Sequence, residues 1–135
     1  MKILSAKEFG IKLKATIQAT GRLGFPKQTS DALKLNARQY VKFAQSEDGN
    51  NELFMCVLRE LDEDAFKVTC SGGYYSLGTK VLFDILGYDY LNYTIIFDLN
   101  RASHLDEELQ GEVYKMCERK LSKNNKKATD KMEES

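Results

Sequence analysis

Basic side chains are concentrated in the first third of the sequence, and phosphate binding is the chemistry they offer. Lys and Arg neutralise phosphate charge and donate hydrogen bonds to phosphate oxygens. Alternation along a strand would place Lys12 and Lys14 on the same side of it. The candidate nucleic-acid-binding residues are Lys12, Lys14, Arg22, Lys27, Arg38 and Lys42. The alternative interpretation is that these side chains are ordinary exposed charges of a half-buried sheet.

The 135 residues have a formal net charge of zero, but the charge is unevenly distributed. Residues 1–45 contain nine Lys or Arg and two Asp or Glu, a balance of +7. Residues 46–110 contain four basic and thirteen acidic side chains, a balance of −9, and residues 111–135 have a balance of +2. Local charge decides whether a surface attracts a polyanion. The basic first third therefore suits a nucleic acid, and the acidic middle suits a basic protein.

Two adjacent tyrosines, Tyr74 and Tyr75, follow the turn residues Gly72 and Gly73. An exposed aromatic ring is a stacking platform for the bases of single-stranded nucleic acid. Adjacent residues of a strand point to opposite faces of the sheet, so we expect at most one of the two rings to be exposed. The other ring is expected to lie in the core.

Residues that could support catalysis or metal binding do not form a recognisable motif. The cysteines Cys56, Cys70 and Cys117 lack CxxC spacing, and His104 is the only histidine. A zinc site or an activated nucleophile needs such partners. The sequence contains no GxxxxGK[ST], GxGxxG or GxSxG motif. We therefore expect a protein that is not an enzyme and that uses no cofactor or metal.

Short sequence patterns place the candidate residues on a repeated series of strands and helices. Apolar alternation and Gly turns predict strands near residues 14–19, 22–25, 40–44, 53–58, 66–70, 74–77 and 94–98. Pro26 suits the start of a helix that ends at Leu35, and a second helix is predicted from Gly78 to Leu86. The order strand, strand, helix, strand thus occurs twice, at about 14–45 and 66–98. This recurrence indicates an internal duplication.

The last third of the sequence predicts a helix and a tail. Apolar residues recur at helical spacing through residues 104–121, namely Leu105, Leu109, Val113, Met116, Cys117 and Leu121. Residues 122–135 are rich in Lys, Asn and Glu and offer little apolar surface to bury. We therefore expect a C-terminal helix followed by a disordered tail.

The run from Gly21 to Lys27, followed by 33–35 (Leu-Lys-Leu) and 41–43 (Val-Lys-Phe), resembles the AbrB/MazE swapped-hairpin (SpoVT-AbrB) family. In that family a Gly-Arg turn leads into a strand ending at Pro, and a short helix ends in Leu-x-Leu before the next strand. The resemblance covers about residues 14–45. It implies a dimeric or duplicated fold with a basic surface for DNA, in which Arg22 occupies a position that commonly faces DNA. Polar residues from Gln28 to Asp31 replace the basic residues that strong DNA binders often carry.

These patterns together predict an α+β fold, with an AbrB-like barrel or sheet over residues 1–103, a C-terminal helix and a disordered tail. We expect a DNA-binding regulator-like protein that contacts phosphates through the basic face of its first repeat. The alternatives are a protein-interaction or assembly module without nucleic-acid binding, and a Whirly-like binder of single-stranded nucleic acid. The expected partners are DNA and a second copy or another protein, with no small-molecule substrate.

The expected compartment is the cytoplasm, without membrane association. The first residues lack the apolar core of a signal peptide. No apolar run approaches the roughly 20 residues that a membrane-spanning helix needs.

Overall fold

The computed structural model describes residues 12–46, 49, 51–102 and 112–123. The strands are β1 (Lys14–Ile17), β2 (Leu23–Phe25), β3 (Tyr40–Gln45), β4 (Leu53–Leu58), β5 (Phe66–Lys67), β6 (Thr69–Ser71), β7 (Tyr74–Leu77), β8 (Tyr93–Ala102) and β9 (Glu112–Ser122). The helices are α1 (Lys27–Leu33) and α2 (Lys80–Leu86). These elements lie close to where the sequence predicts them up to residue 98, except that the strand predicted at 66–70 is divided into β5 and β6. The larger differences follow residue 98.

All nine strands belong to one antiparallel sheet, whose order is β5-β3-β4-β9-β8-β1-β2-β7-β6. The two edge strands, β5 and β6, are separated in sequence by Val68 alone. The Val68 N–H donates a hydrogen bond of 3.0 Å to the Gln39 carbonyl, and the Val68 side chain is fully buried. One short segment therefore belongs to both edges, and the sheet curls into a nearly closed barrel.

The barrel interior is filled by apolar side chains that alternate with outward-facing polar ones. On β1, Ala15 and Ile17 are buried, whereas Lys14 and Thr16 are partly exposed. Phe83 of α2 inserts among rings from three other segments, with centroid distances of 6.2 Å to Phe43, 5.6 Å to Tyr88 and 6.0 Å to Phe97. Aromatic contacts of this kind add to the free energy gained by burial. Phe83 thus anchors α2 to the core.

The two helices are closely similar two-turn elements. Each carries an ion pair between its first residue and an aspartate four positions later, with Nζ–Oδ2 distances of 3.0 Å in α1 (Lys27 to Asp31) and 2.8 Å in α2 (Lys80 to Asp84). Each ends at a residue in the left-handed conformation, Lys34 after α1 and Gly87 after α2. No helix in the described part of the chain has the length and apolar character required to cross a bilayer.

The prediction of an α+β fold is wrong. Strands account for 49% of the described residues and helices for 15%. Each helix has only seven residues and packs on a continuous antiparallel sheet. Separate helical layers, which define α+β architecture, therefore do not form in the described chain.

The predicted C-terminal helix is also wrong, because residues 112–122 form the eleven-residue strand β9. Val113, Tyr114 and Met116 are all buried, so both faces of this strand carry apolar side chains. Such a pattern produces apolar spacings of three and four residues, which are typical of a helix. The remainder of the predicted helix, 104–111, and residues 124–135 of the predicted tail lie outside the described residues.

Candidate functional site

Two of the six predicted phosphate-binding residues are paired with carboxylates. Lys27 Nζ lies 3.0 Å from Asp31, and Lys42 Nζ lies 3.1 Å from Asp62. The hydrogen bond from Lys42 to Asp62 raises the pKa of the lysine. Two hydrogen bonds lower the pKa of Asp62, the larger effect coming from the Asp64 backbone N–H and the smaller from Lys42. The Lys42 charge is therefore compensated by a partly buried carboxylate, whereas Lys27 pairs with Asp31 on the exposed surface of α1.

The six residues do not form one continuous face. Lys14 lies on β1 and Lys42 on β3, and three strands, β4, β9 and β8, separate them in the sheet. In a nearly closed barrel of nine strands, this separation places the two side chains on opposite walls. Lys12 precedes β1 and Arg38 lies between α1 and β3, both exposed. Of the six residues, the structure brings together Lys14 on β1 and Arg22 at the start of β2.

Arg22 is held at the start of β2 by uncharged acceptors. Its Nε donates to Ser76 Oγ at 3.1 Å, and its Nη2 donates to Thr69 Oγ1 at 2.6 Å. Arg22 makes no ion pair with any described residue. The guanidinium is thus fixed in position while its positive charge remains uncompensated.

Tyr74 lies beside Arg22 on the outer side of the barrel. Its hydroxyl accepts a 3.0 Å hydrogen bond from Gln18 Nε2. The ring crosses Gly24, where a Cβ atom would lie 2.1 Å from the Tyr74 oxygen and 2.8 Å from Cζ. Tyr74 is 40% exposed, whereas Tyr75 packs against the core, which confirms that only one of the two rings faces solvent. One side of the Tyr74 ring covers the sheet and the other is open.

Strand register explains why these groups share a face. Gly24 is opposite Ser76 across β2 and β7, and Ser76 is opposite Thr69 across β7 and β6. Residues directly opposite each other in an antiparallel pair point to the same side. Their sequence neighbours, including Leu23 and Leu77, are buried in the core, so this side is the outside.

We call this surface the hydroxyl face. It comprises the outward-facing residues of β1, β2, β6 and β7 and the adjoining turn, namely Lys14, Thr16, Gln18, Arg22, Gly24, Thr69, Tyr74 and Ser76. None of the eight is acidic. The one carboxylate opposite Lys14 on the neighbouring strand, Asp98, accepts hydrogen bonds of 2.7 and 3.1 Å from Arg119 instead. The face therefore offers two cations, several hydroxyls and an open aromatic ring.

Sequence reasoning identified Lys14, Arg22 and the tyrosine pair, but it missed the hydroxyls that orient Arg22. Thr69 and Ser76 lie 47 and 54 positions from Arg22 in the chain. Nothing in the local pattern links them to it, because the link depends on the pairing of β2 with β7 and of β7 with β6. The period-two spacing of residues 14, 16 and 18 was the one available signal for the β1 part of the face.

A groove of about 1000 Å³ is the other candidate, and it lies between α1, β3, β4 and the following loop. Its charged lining residues have both signs, namely Lys34, Lys42, Arg59, Glu60, Asp62 and Glu112. The Lys42–Asp62 ion pair lies within it, so the groove has no excess charge to attract an ionic ligand.

Metal and thiol chemistry have no visible centre in the described chain. No group of three His, Cys, Asp or Glu side chains is arranged there to hold a metal ion. His104 lies outside the described residues. Among the cysteines, Cys56 is buried, and burial raises the pKa of its thiol, while Cys70 is exposed.

The chain matches no protein-family model, no curated protein and no solved structure. The resemblance to the AbrB family stays a prediction, and the hydroxyl face is the arrangement from which a function has to be argued.

Proposed function

We propose that the protein binds single-stranded nucleic acid on its hydroxyl face, with Arg22 and Lys14 contacting phosphates and the open side of the Tyr74 ring stacking on a base. The observation that carries the proposal is the Arg22 guanidinium, which two hydroxyls hold on an exposed face without a carboxylate partner among the described residues. The proposal combines two expectations from the sequence, DNA binding and single-strand binding, on this one surface.

Arg22 is prepared for a phosphate because its orientation is already fixed. A guanidinium has five N–H donors, and Ser76 and Thr69 each accept one. The remaining donors and the full positive charge are available to an anion, and charge-assisted Arg–phosphate hydrogen bonds are among the stronger ones. Prior fixation also reduces the side-chain entropy that binding would otherwise cost.

Lys14 supplies a second phosphate contact at the other end of the face. Lys14 and Gln18 are separated by four residues of extended chain, or about 13 Å at 3.3 Å per residue. Gln18 contacts Tyr74, which lies beside the Arg22 site. The two cations are therefore spaced to contact different phosphates, with the aromatic ring near one of them.

Tyr74 favours a single strand over a duplex. The bases of a duplex stack on each other, whereas those of a single strand are free to stack on an aromatic side chain. Two uncompensated cations are also few, since proteins that hold duplex DNA by charge make about 6–10 phosphate contacts. Stacking supplies part of the affinity that the small number of charges does not.

The test is fluorescence anisotropy with a labelled single strand of about 10 nucleotides and a duplex of the same sequence. Titrations between about 50 and 200 mM salt give the number of phosphate contacts. For two contacts on a single strand, the slope of log K against log salt is about −1.4. We expect Tyr74→Ala to weaken binding by about 1–3 kcal/mol. Arg22→Gln should weaken binding and make the slope less negative.

Arg59→Gln is the matched control, because Arg59 is an exposed arginine that follows β4 and lies on the opposite wall of the barrel from the hydroxyl face. It removes the same charge and should leave the affinity within about twofold, since a single distant surface charge is largely screened. Equal affinities of the wild type and the Arg22→Gln variant would overturn the proposal. Tighter binding of the duplex than of the single strand, with no effect of Tyr74→Ala, would overturn it as well.

A further inference from the structure

The second half of β9 has an open backbone edge. β8 pairs with β9 from Val113 to Ser122, but β4 pairs with it only from Glu112 to Met116. From Cys117 to Leu121, the edge facing away from β8 has no strand partner among the described residues. An unpaired edge of this kind is a template for a further strand.

The side chains along this edge are complementary to themselves in an antiparallel arrangement. If two copies pair with Arg119 opposite Arg119, Glu118 of each copy faces Lys120 of the other. Cys117 of each copy then faces Leu121 of the other, which is 47% exposed in the single chain. This register gives two opposite-charge pairs and two apolar pairs around one two-fold axis, as an isologous interface requires.

The central residue does not oppose this register. Arg119 would meet its own copy on the axis, but it donates hydrogen bonds of 2.7 and 3.1 Å to Asp98 of its own chain. Its charge is therefore compensated before any pairing. Glu118 and Lys120 point to the opposite side of the strand from Arg119, so the attractive pairs and the central arginines are kept apart. Both side chains are exposed, and Lys120 Nζ lies 4.2 Å from the Tyr93 ring centroid of its own chain, so the ammonium lies over that ring in the single chain.

We propose that two copies of the chain associate through antiparallel pairing of their Cys117–Leu121 edges, centred on Arg119. The pairing joins the two sheets and provides hydrogen-bond partners for the open edge. It uses neither Arg22 nor Tyr74, so it does not depend on the proposed nucleic-acid binding.

The test is the concentration dependence of the molar mass of the full chain in sedimentation equilibrium. Lys120→Glu places two pairs of glutamates opposite each other, and Glu118→Lys places two pairs of lysines opposite each other. We expect each single variant to raise the dimer dissociation constant at least about tenfold, because like charges directly opposite destabilise a strand pair. The double variant E118K/K120E restores the opposite-charge pairs with reversed signs and should recover wild-type association.

Lys67→Glu is the control for net charge, because Lys67 is exposed on β5 and lies outside the proposed interface. Cross-linking tests the register directly. In a Cys70→Ser background, Leu121→Cys should form a disulfide-linked dimer with native Cys117 on oxidation, and the additional change Cys117→Ser should abolish it.

The proposal would be overturned if the protein is a monomer at all concentrations. It would also be overturned if Lys120→Glu and Lys67→Glu change the dimer dissociation constant equally. The cross-link keeps the proposal falsifiable if a charge variant does not fold, because Leu121→Cys leaves the charged residues unchanged. Failure of that cross-link in a dimeric protein would show a different interface.

Discussion

At the scale of single residues, the hydroxyl face depends on the absence of charge in the groups that hold Arg22. Ser76 and Thr69 orient the guanidinium through hydroxyl oxygens, so its charge remains available to a ligand. Lys42 shows the other outcome, since Asp62 holds its ammonium and compensates its charge. Residue type alone did not distinguish these two cations in the sequence. Only the acceptors that each one meets in the folded barrel separate them.

This difference predicts the effect of a carboxylate at Thr69. Thr69→Asp should weaken nucleic-acid binding about as much as Arg22→Gln, because the new carboxylate pairs with the guanidinium and repels phosphate. Thr69→Asn, which is close in size but neutral, should retain most of the affinity. Anisotropy titrations of both variants provide the measurement. Equal affinities of the Asp and Asn variants would show that the charge of Arg22 is not used.

Tyr114 predicts a loss of stability at alkaline pH. Burial, and then the hydrogen bond it donates to Glu112 at 2.9 Å, raises the pKa of the Tyr114 hydroxyl to about 12. In the unfolded chain the pKa is about 10, so the folded state favours the protonated phenol. The resulting stabilisation is complete below about pH 10 and is lost as the pH rises towards about 12.

Urea unfolding at a series of pH values tests this prediction. Between about pH 10 and 12 the free energy of unfolding of the wild type should fall more steeply than that of Tyr114→Phe, by up to about 2 kcal/mol. Absorbance of the phenolate reports the titration itself. Identical pH profiles for the two proteins would contradict the assigned role of Tyr114.

At the scale of elements, the strands and helices up to residue 98 were accessible to sequence analysis because their apolar alternation and turn residues are local signals. β9 was not, because its apolar side chains lie on both faces. The segment at 66–70 was predicted as one strand, yet Val68 divides it into β5 and β6, which pair with β3 and β7 respectively. Long-range pairing of this kind leaves no local pattern.

Substitutions on the outer and inner faces of α2 are expected to change the free energy of unfolding by very different amounts. Val81 and Ile85 are 71% and 77% exposed, and the corresponding positions of α1, counted from the lysine that starts each helix, hold Gln28 and Ala32. The variant V81Q/I85A should therefore change the free energy of unfolding by no more than about 0.5 kcal/mol per site. Phe83→Ala removes the ring that anchors the same helix and should cost about 3–5 kcal/mol.

Urea unfolding monitored by circular dichroism measures both values. A large loss in V81Q/I85A would mean that the outer face of α2 is covered within the folded chain. A small loss in Phe83→Ala would mean that α2 is not fixed to the barrel by this ring.

At the scale of the whole molecule, the barrel closes where β5 passes into β6. Val68 contributes a fully buried side chain and an N–H bond to Gln39 at this point. The closure also brings Thr69 beside β7 and hence beside Arg22. Barrel closure and the hydroxyl face are therefore physically linked, although no local sequence pattern connects them.

Closure predicts a specific cost for shortening Val68. Val68→Ala should lower the free energy of unfolding by about 2 kcal/mol, because it removes two buried carbon atoms from a closed seam. Val81→Ala is the matched control, since the same change at an exposed valine should cost less than about 0.5 kcal/mol. Chemical denaturation of both variants provides the comparison. Equal costs would contradict the position of Val68 at the seam.

The most direct measurement is an NMR titration of backbone amide signals with a short single-stranded oligonucleotide at low salt. We predict that the signals that shift belong to β1, β2, β6 and β7, with Arg22, Thr69 and Ser76 among the most affected. Signals from β3 and β4, on the opposite wall of the barrel, should stay in place. Shifts confined to β3, β4 and the neighbouring groove, or no shifts at all, would contradict nucleic-acid binding on the hydroxyl face.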